Sequence, residues 1–191
     1  NTGLYRSING GATWATIVAG EFMEIERQPG SSSVVYAVKL NASSTSFYRS
    51  TNGGASFALS GSGWPTPVAG DEQKRCEISV SPANPNLVYV LASGFADGFG
   101  GLYGIYVSYD AGLTFAYQCC GTGPGGVPTP ITNPNTLGWS GDGSGDGGQY
   151  YYDLALGASP TNADKLFSAG ISVWRSEDAG ISWDLNAHWV T

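Results

Sequence analysis

The chain has 191 residues, enough for one sizeable domain with a hydrophobic core. Its 29 glycines, six tryptophans and eleven tyrosines, with only 12% charged residues, are typical of an all-β protein with many tight turns. The formal net charge is −7 and the eight basic residues are scattered, so a nucleic-acid partner is not expected. A membrane span is not expected either, because it needs about 18 consecutive apolar residues and no run in the sequence approaches that length.

One short pattern occurs four times along the chain: Ser-x-Asp/Asn-x-Gly-x-Ser/Thr-aromatic. We call each copy a box and number its positions 1 to 8. The copies are SINGGATW from Ser7, STNGGASF from Ser50, SYDAGLTF from Ser108 and SEDAGISW from Ser176. A β-like run precedes each of them, so every box is predicted to be a turn between two strands.

The residue types in the box explain why it turns. The Asp or Asn at position 3 accepts hydrogen bonds from nearby backbone N–H groups, and the glycine at position 5 supplies a positive φ. The aromatic residue at position 8 starts the next strand, where we expect its ring to be buried. These residues are Asn9, Asn52, Asp110 and Asp178 at position 3; Gly11, Gly54, Gly112 and Gly180 at position 5; and Trp14, Phe57, Phe115 and Trp183 at position 8.

A second element, strand–Pro turn–strand, recurs between the boxes. In chain order the sequence therefore predicts a half blade over 3–17 and four-stranded blades over about 22–60, 76–118 and 152–185, with a long loop insertion over 119–151. The expected fold is all-β, a single β-propeller segment of antiparallel four-stranded blades over 1–191. About three and a half blades cannot close a ring of roughly four to eight, so we expect the remainder of a larger propeller as a partner.

The four boxes resemble Asp-box (BNR) repeats. The stretch GDGSGDGGQYYYDLALGASPTN followed by VWRSEDAGISWDLNAHW is similar to the sortilin-like propellers of large secreted bacterial surface proteins with C-terminal sorting domains. This resemblance implies an extracellular protein, either secreted or attached to the cell surface. It also implies that the boxes lie on the blade periphery, away from the ligand face, and have a structural role.

Extra chain length is concentrated in the connections opposite the boxes, at 60–75, 92–104 and 116–151. Insertions on one face of a repeat protein commonly mark its binding surface. Aromatic rings there are candidate platforms for a glycan or protein ligand, or else they pack the glycine-rich loops onto the blades. The candidates are Trp64, Phe95, Phe99, Trp139 and Tyr151, the last within the run Tyr150–Tyr152.

The long insertion also contains the spacing of a calcium-binding loop. Asp142, Ser144 and Asp146 occupy alternate positions, the Gly148 carbonyl follows, and Asp153 closes the pattern. Ser at the third position and Asp at the twelfth depart from the usual ligands. The alternatives are a Ca²⁺ site and a flexible loop without an ion.

The three cysteines leave the disulfide pairing open. Cys119 and Cys120 are adjacent and Cys76 stands alone, so at least one thiol has no partner within the chain. An oxidising compartment would give a disulfide that involves Cys119 or Cys120. A bridge to Cys76 is slightly favoured over a vicinal ring, because Cys76 opens the blade that ends beside the other two.

No catalytic residue can be assigned from the sequence. A sialidase needs an arginine cluster, yet Arg6, Arg49 and Arg175 all precede a box serine, where an exposed position or a blade-to-blade hydrogen bond explains them. Glu24 and Glu26 are expected to line the central channel.

We predict a non-catalytic binding or scaffold module. The alternative is part of a carbohydrate-active enzyme, glycosidase or sialidase-like, whose catalytic residues lie partly outside this chain.

Overall fold

The computed structural model describes residues 2–96, 99–121 and 134–190. Over these ranges the regular structure consists of strands, and no helix is present. The strands are β1 (Gly3–Arg6), β2 (Ala15–Ala19), β3 (Glu21–Arg27), β4 (Val35–Leu40), β5 (Thr45–Ser50), β6 (Ala58–Leu59), β7 (Glu72–Val80), β8 (Val88–Ala96), β9 (Phe99–Ser108), β10 (Ala116–Cys119), β11 (Ala155–Ala158), β12 (Leu166–Ala169), β13 (Val173–Ser176) and β14 (Asp184–Ala187).

Within each sheet, strands that follow one another in sequence are neighbours and pair antiparallel. Strands β1 and β2 form a two-stranded sheet, blade 1. Three four-stranded sheets follow in the order β3-β4-β5-β6, β7-β8-β9-β10 and β11-β12-β13-β14, and we call them blades 2, 3 and 4. The predicted fold class, a partial β-propeller of four-stranded antiparallel blades, is confirmed.

The hydrophobic core lies between neighbouring blades. One cluster joins blades 2 and 3 and includes Tyr36, Phe47 and Phe115. A second joins blades 3 and 4 and includes Ile105 and Trp183. Blade 3 is thus covered on both faces, which explains why nearly every residue of β8 is buried although side chains alternate between the faces of a strand.

The sequence analysis expected a loop insertion over 92–104, but residues 92–96 belong to β8 and residues 99–104 to β9. The extra chain length therefore extends two strands. A Cβ at Gly94 would lie 2.1 Å from the Glu72 carbonyl oxygen, so this glycine permits a close approach of β7 and β8. Glycine here marks tight strand packing.

The closing aromatics of the boxes are buried in blades 3 and 4 only. Phe115 and Trp183 are buried, Phe57 is half-buried, and Trp14 is 64% exposed, so the expectation of burial was wrong for Trp14. The reason is that each ring packs on the preceding blade. Phe115, for example, contacts Phe47 of blade 2 with ring centroids 4.9 Å apart, and no described residue covers Trp14 in this way.

Within the part of the chain that the structure describes, no helix is long and apolar enough to cross a membrane.

Two tryptophans at the same box position give a matched test of this packing. We expect Trp183→Ala to lower the free energy of unfolding by about 3–5 kcal/mol, because the ring fills the core between blades 3 and 4. Trp14→Ala should change it by about 0.5 kcal/mol or less, since its ring is largely in water. Urea denaturation of both variants checks this, and equal losses would contradict the blade-to-blade packing.

Candidate functional site

Each box closes its own hydrogen-bond network. In the third box the Gly112 N–H donates to Ser108 Oγ (2.8 Å), and Ser108 Oγ donates to Asp110 Oδ1 (2.8 Å). The Thr114 N–H and hydroxyl then donate to the two carboxylate oxygens of Asp110, at 2.8 and 2.7 Å. The position-5 N–H donates to the position-1 hydroxyl in every box, at 2.8–2.9 Å. The side-chain oxygens of positions 1 and 3 therefore hold the turn by hydrogen bonds formed within the box itself.

Position 4 of the box has a role that the sequence analysis missed. Its residue has a positive φ in every box, 67° at Gly10 and 68° at Gly53, but also 58° at Ala111 and 62° at Ala179. In blades 2, 3 and 4 the N–H of this residue donates to the turn between the first two strands of its own blade. The bonds run from Gly53 to Ser33, from Ala111 to Asn86 and from Ala179 to Asp164, at 2.8–2.9 Å. The presence of glycine at this position in two boxes was the only available sequence signal.

The carbonyl of position 4 accepts a side chain of the preceding blade. Arg6 Nε donates to Gly53 (3.0 Å) and Arg49 Nε donates to Ala111 (2.9 Å). This confirms the interpretation of Arg6 and Arg49 as blade-to-blade hydrogen-bond donors. Blade 3 has a valine in place of the arginine, and Gln118 Nε2 donates to Ala179 instead (3.1 Å). Arginines engaged at separate blade junctions cannot converge on one carboxylate as a sialidase requires.

A pair of carboxyl groups lies where blades 2 and 3 meet through β3 and β7. Burial, the negative charges of Glu77 and Glu26, and a hydrogen bond to Glu77 together raise the pKa of Glu24 to about 8. Burial also raises the pKa of Glu77, although its ion pair with Arg75 opposes the rise. The two side chains contact each other directly, whereas glycosidase carboxyls stand about 5–9.5 Å apart with the sugar between them. The pair therefore does not form a glycosidase site.

The predicted ligand-face aromatics differ in how far they are exposed. Trp64 is half-buried and packs against the core between blades 2 and 3, stacked on Phe47 at 5.2 Å, and its Nε1 donates to Thr45 Oγ1 (3.0 Å). Phe95 is partly exposed near the end of β8. Phe99 lies in β9, and its side chain is outside the described residues.

The remaining candidates form two exposed aromatic groups. Tyr151 and Tyr152 are 53% and 52% exposed, with ring centroids 4.6 Å apart, and Tyr150 packs edge-on beneath Tyr151 at 5.5 Å. We call Tyr150–Tyr152 the tyrosine cluster. Trp139 is also partly exposed and packs against Trp189 at 5.6 Å. Among the predicted ligand-face rings whose side chains are described, Tyr151 and Trp139 are therefore the most exposed.

The segment that carries the tyrosine cluster is fastened to blade 3. The buried Asn135 accepts a hydrogen bond from the Leu102 N–H (2.9 Å) and donates to the Gly145 carbonyl (2.8 Å). Tyr150 lies against Gly100, where a Cβ would come within 2.8 Å of the ring. Nothing in the sequence singled out Asn135, because its partners are distant along the chain. The backbone below the exposed rings is therefore held in place.

The predicted calcium ligands do not come together. Asp142 Oδ1 accepts hydrogen bonds from the Ser144 N–H (2.9 Å) and hydroxyl (2.7 Å), and Asp146 Oδ1 accepts from the Gly100 N–H (2.7 Å). In the described ranges, no three acidic, histidine or cysteine side chains are grouped as a metal ion would need. As arranged, these residues do not fit a calcium ion, and the site with Gly148 and Asp153 stays a prediction.

The structure joins Cys119 and Cys120 in a vicinal disulfide and leaves Cys76 as a free, buried thiol. The slight preference for a bridge to Cys76 was therefore wrong. The physical reason is the direction of the side chains: Cys76 is part of the core towards blade 2, 3.6 Å from Thr45 Oγ1, whereas the adjacent pair is part of the core towards blade 4. The two sites lie on opposite faces of blade 3.

Comparison with known proteins identifies neither a matching family model nor a matching curated protein. Among solved structures, the chain is similar to YCF48 bound to a D1 peptide, with 11% identity and a TM-score of 0.46 over 87% of this chain and 42% of that one. It is also similar to YCF48 from Cyanidioschyzon merolae (12% identity, TM-score 0.43, 86% and 36% covered). A third similar structure is the Niastella koreensis GH74 enzyme (16% identity, TM-score 0.39, 98% and 35% covered). The chain spans less than half the length of each of these proteins.

The carboxyl pair generates a pH prediction. Since the pKa of Glu24 rises from 4.5 to about 8 on folding, the folded chain binds more protons than the unfolded chain, and stability should fall as pH rises through this window. Glu24→Gln should flatten that slope and raise the melting temperature at pH 8, because an amide mimics the protonated carboxyl. Glu21→Gln, an exposed position on the same strand, is the control. Thermal unfolding from pH 5 to 9 measures both, and an unchanged slope in Glu24→Gln would refute the assignment.

Asp110 generates the opposite pH dependence. Hydrogen bonds from Thr114, Ser108 and Leu113 outweigh the effect of burial and lower its pKa from 3.8 to about 2. The ionised Asp110 carboxylate stabilises the folded state above pH 3.8, and this stabilisation is lost as the pH falls through 2. We expect Asp110→Asn to reduce that acid sensitivity with a change of about 1 kcal/mol or less at pH 7, because Asn forms the same network in boxes 1 and 2. The exposed Asp184→Asn is the control in denaturant titrations at pH 2–7.

Proposed function

We propose that this chain is a non-catalytic binding or scaffold module, and that its glycan or protein ligand contacts the face formed by the tyrosine cluster and Trp139. One observation carries the proposal: Tyr151 and Tyr152 stay about half exposed on a segment whose backbone is fixed to blade 3. Rings held in this way contact a ligand with little loss of conformational freedom.

The chemistry of the surface suits a partner with both apolar and polar groups. A tyrosine ring packs on a sugar face or an apolar peptide side chain, and its hydroxyl exchanges hydrogen bonds at the edge of that contact. Arg75 lies beside the cluster, with its guanidinium donating to the Tyr152 carbonyl (2.9 Å).

We also propose that the four boxes are Asp-box repeats of the sortilin-like type and that the protein is extracellular. The closed serine–Asp/Asn network in every box supports the first assignment. The disulfide between Cys119 and Cys120 supports the second, because disulfides persist in oxidising compartments. A carbohydrate-active parent enzyme would have to take its catalytic carboxyls from outside the pair formed by Glu24 and Glu77.

The binding proposal is tested with paired tyrosine variants. A glycan array and a peptide library first identify a ligand, and calorimetry then measures its affinity. We expect Tyr151→Ala/Tyr152→Ala to weaken binding at least about tenfold, as loss of a central aromatic contact costs 1.4 kcal/mol or more. Trp139→Ala, as a single substitution, should also weaken ligand binding.

The control is Tyr109→Ala, which removes an equally exposed ring from the third box, on the rim opposite the tyrosine cluster. Its affinity should match that of the unchanged protein. Equal losses in both variants, or full affinity in the double variant, would contradict the proposed face. Hydrolysis of a bound glycan would favour the enzyme alternative.

A further inference from the structure

A series of side-chain contacts connects the carboxyl pair to the tyrosine cluster. Glu24 of β3 is hydrogen-bonded to Glu77 of β7, and Glu77 Oε1 accepts a hydrogen bond from Arg75 Nη2 at 2.5 Å. The other terminal nitrogen of the same guanidinium, Nη1, donates to the Tyr152 carbonyl at 2.9 Å. Arg75 therefore joins the junction of blades 2 and 3 to the turn that carries the exposed rings.

Strands β3 and β7 are both irregular beside these residues. The pairing of β3 with β4 shifts register between Phe22 and Glu24, and the pairing of β7 with β8 shifts between Gln73 and Arg75. Such irregularities change the direction of the adjacent side chains. The side chains of Arg75 and Glu77 are only 28% and 16% exposed, so water screens their ion pair less than it screens a pair on the surface.

The pair holds one proton at neutral pH. Burial and the negative charges of Glu77 and Glu26 raise the pKa of Glu24 to about 8, so the protonated Glu24 donates to the Glu77 carboxylate. We assign the negative charge to Glu77 because Arg75 is its ion-pair partner. The nearby Cys76 thiol stays neutral, since burial raises its pKa to about 12. Glu24 is therefore the group that changes charge just above neutral pH.

The remaining charged groups of β3, β7 and the strands packed against them have other partners. On β7, Glu72 and Lys74 pair with each other at 2.9 Å. Lys39 of β4 lies against the residue that precedes β3, and Arg6 of β1 and Arg49 of β5 donate to box carbonyls. Strand β11, which also packs on β7, has no ionisable side chain. Arg75 is thus the cation that responds to the charge of the pair.

We propose that Glu24, Glu77 and Arg75 form a proton-dependent latch on the ligand face. When Glu24 gives its proton to solvent, two carboxylates lie side by side and attract the guanidinium more strongly. Arg75 then turns towards them and releases the Tyr152 carbonyl. The turn below the tyrosine cluster is held less firmly, so binding at this face weakens as pH rises from neutral. The effect on binding rests on the proposed ligand face, whereas the effect on the turn does not.

Hydrogen exchange of the turn tests the latch without a ligand. The amides of Tyr152 and Asp153 report on it, because both donate to the Gln149 carbonyl, at 3.0 and 2.9 Å. Exchange relative to the intrinsic rate is measured by mass spectrometry at pH 6 and pH 9. It should be about tenfold faster at pH 9 in the unchanged protein, since an anchoring hydrogen bond is lost. Glu24→Gln should keep the pH 6 value, and the control Glu21→Gln should behave as the unchanged protein.

Arg75→Ala tests the connection to the turn. Relative exchange of the two amides should be fast at both pH values, and adding Glu24→Gln should change nothing. Peptides from β8, in the core of blade 3, are the reference in the same samples, because global unfolding raises exchange everywhere. Three results would each overturn the latch: equal exchange of the unchanged protein and Glu24→Gln at pH 9, a pH response that persists in Arg75→Ala, or a rise in β8 as large as that in the turn.

This experiment and the binding experiment have separate outcomes. Full affinity in Tyr151→Ala/Tyr152→Ala would contradict the ligand face, and a pH response of the turn would then still support the latch. Loss of affinity in that variant, with no pH response of the turn in exchange, would overturn the latch and leave the ligand face supported.

Discussion

A single backbone residue, position 4 of the box, connects the blades. Its left-handed conformation points the N–H into its own blade and the carbonyl towards the preceding one, so one residue closes the turn and sets the junction. A side chain with a Cβ is strained there, yet Ala111 and Ala179 occupy it in blades 3 and 4. The two hydrogen bonds, made where water is partly excluded, offset that strain. Blade spacing then follows from the register of this contact.

Because the core lies between blades, the burial of a residue depends on its neighbour more than on its own sequence. Trp14 and Trp183 close identical turns with identical indole hydrogen bonds, and only the second has a blade against its ring. Tyr36 and Phe167 show the same contrast on the opposite face. Stability in such a chain is the sum of blade and junction contributions, as in other repeat proteins. A substitution at one box position therefore has a different cost in each blade.

The difference between contacts within a blade and contacts between blades also explains what the sequence could predict. The strands and turns were predictable because the serine–Asp/Asn–glycine network is formed within a few residues. Residues whose partners belong to another blade were not: Trp64 follows blade 2 and packs on Phe115 of blade 3, and Cys76 faces blade 2 rather than the other cysteines. The calcium pattern likewise depended on spacing alone, and Asp146 Oδ1 accepts a hydrogen bond from the Gly100 N–H, 46 residues away along the chain.

The blade frame also determines how the exposed rings are presented. The boxes occupy one rim and use their polar groups internally, which leaves the long connection on the opposite rim as the variable surface. Its described part, residues 134–152, would be costly to order if it were held only by its ends. Asn135, Asp146 and Tyr150 instead fasten it to the strands of blade 3, partly through glycines that permit the close approach. Because folding already orders this backbone, ligand binding at Tyr151 and Tyr152 does not have to offset that loss of conformational entropy.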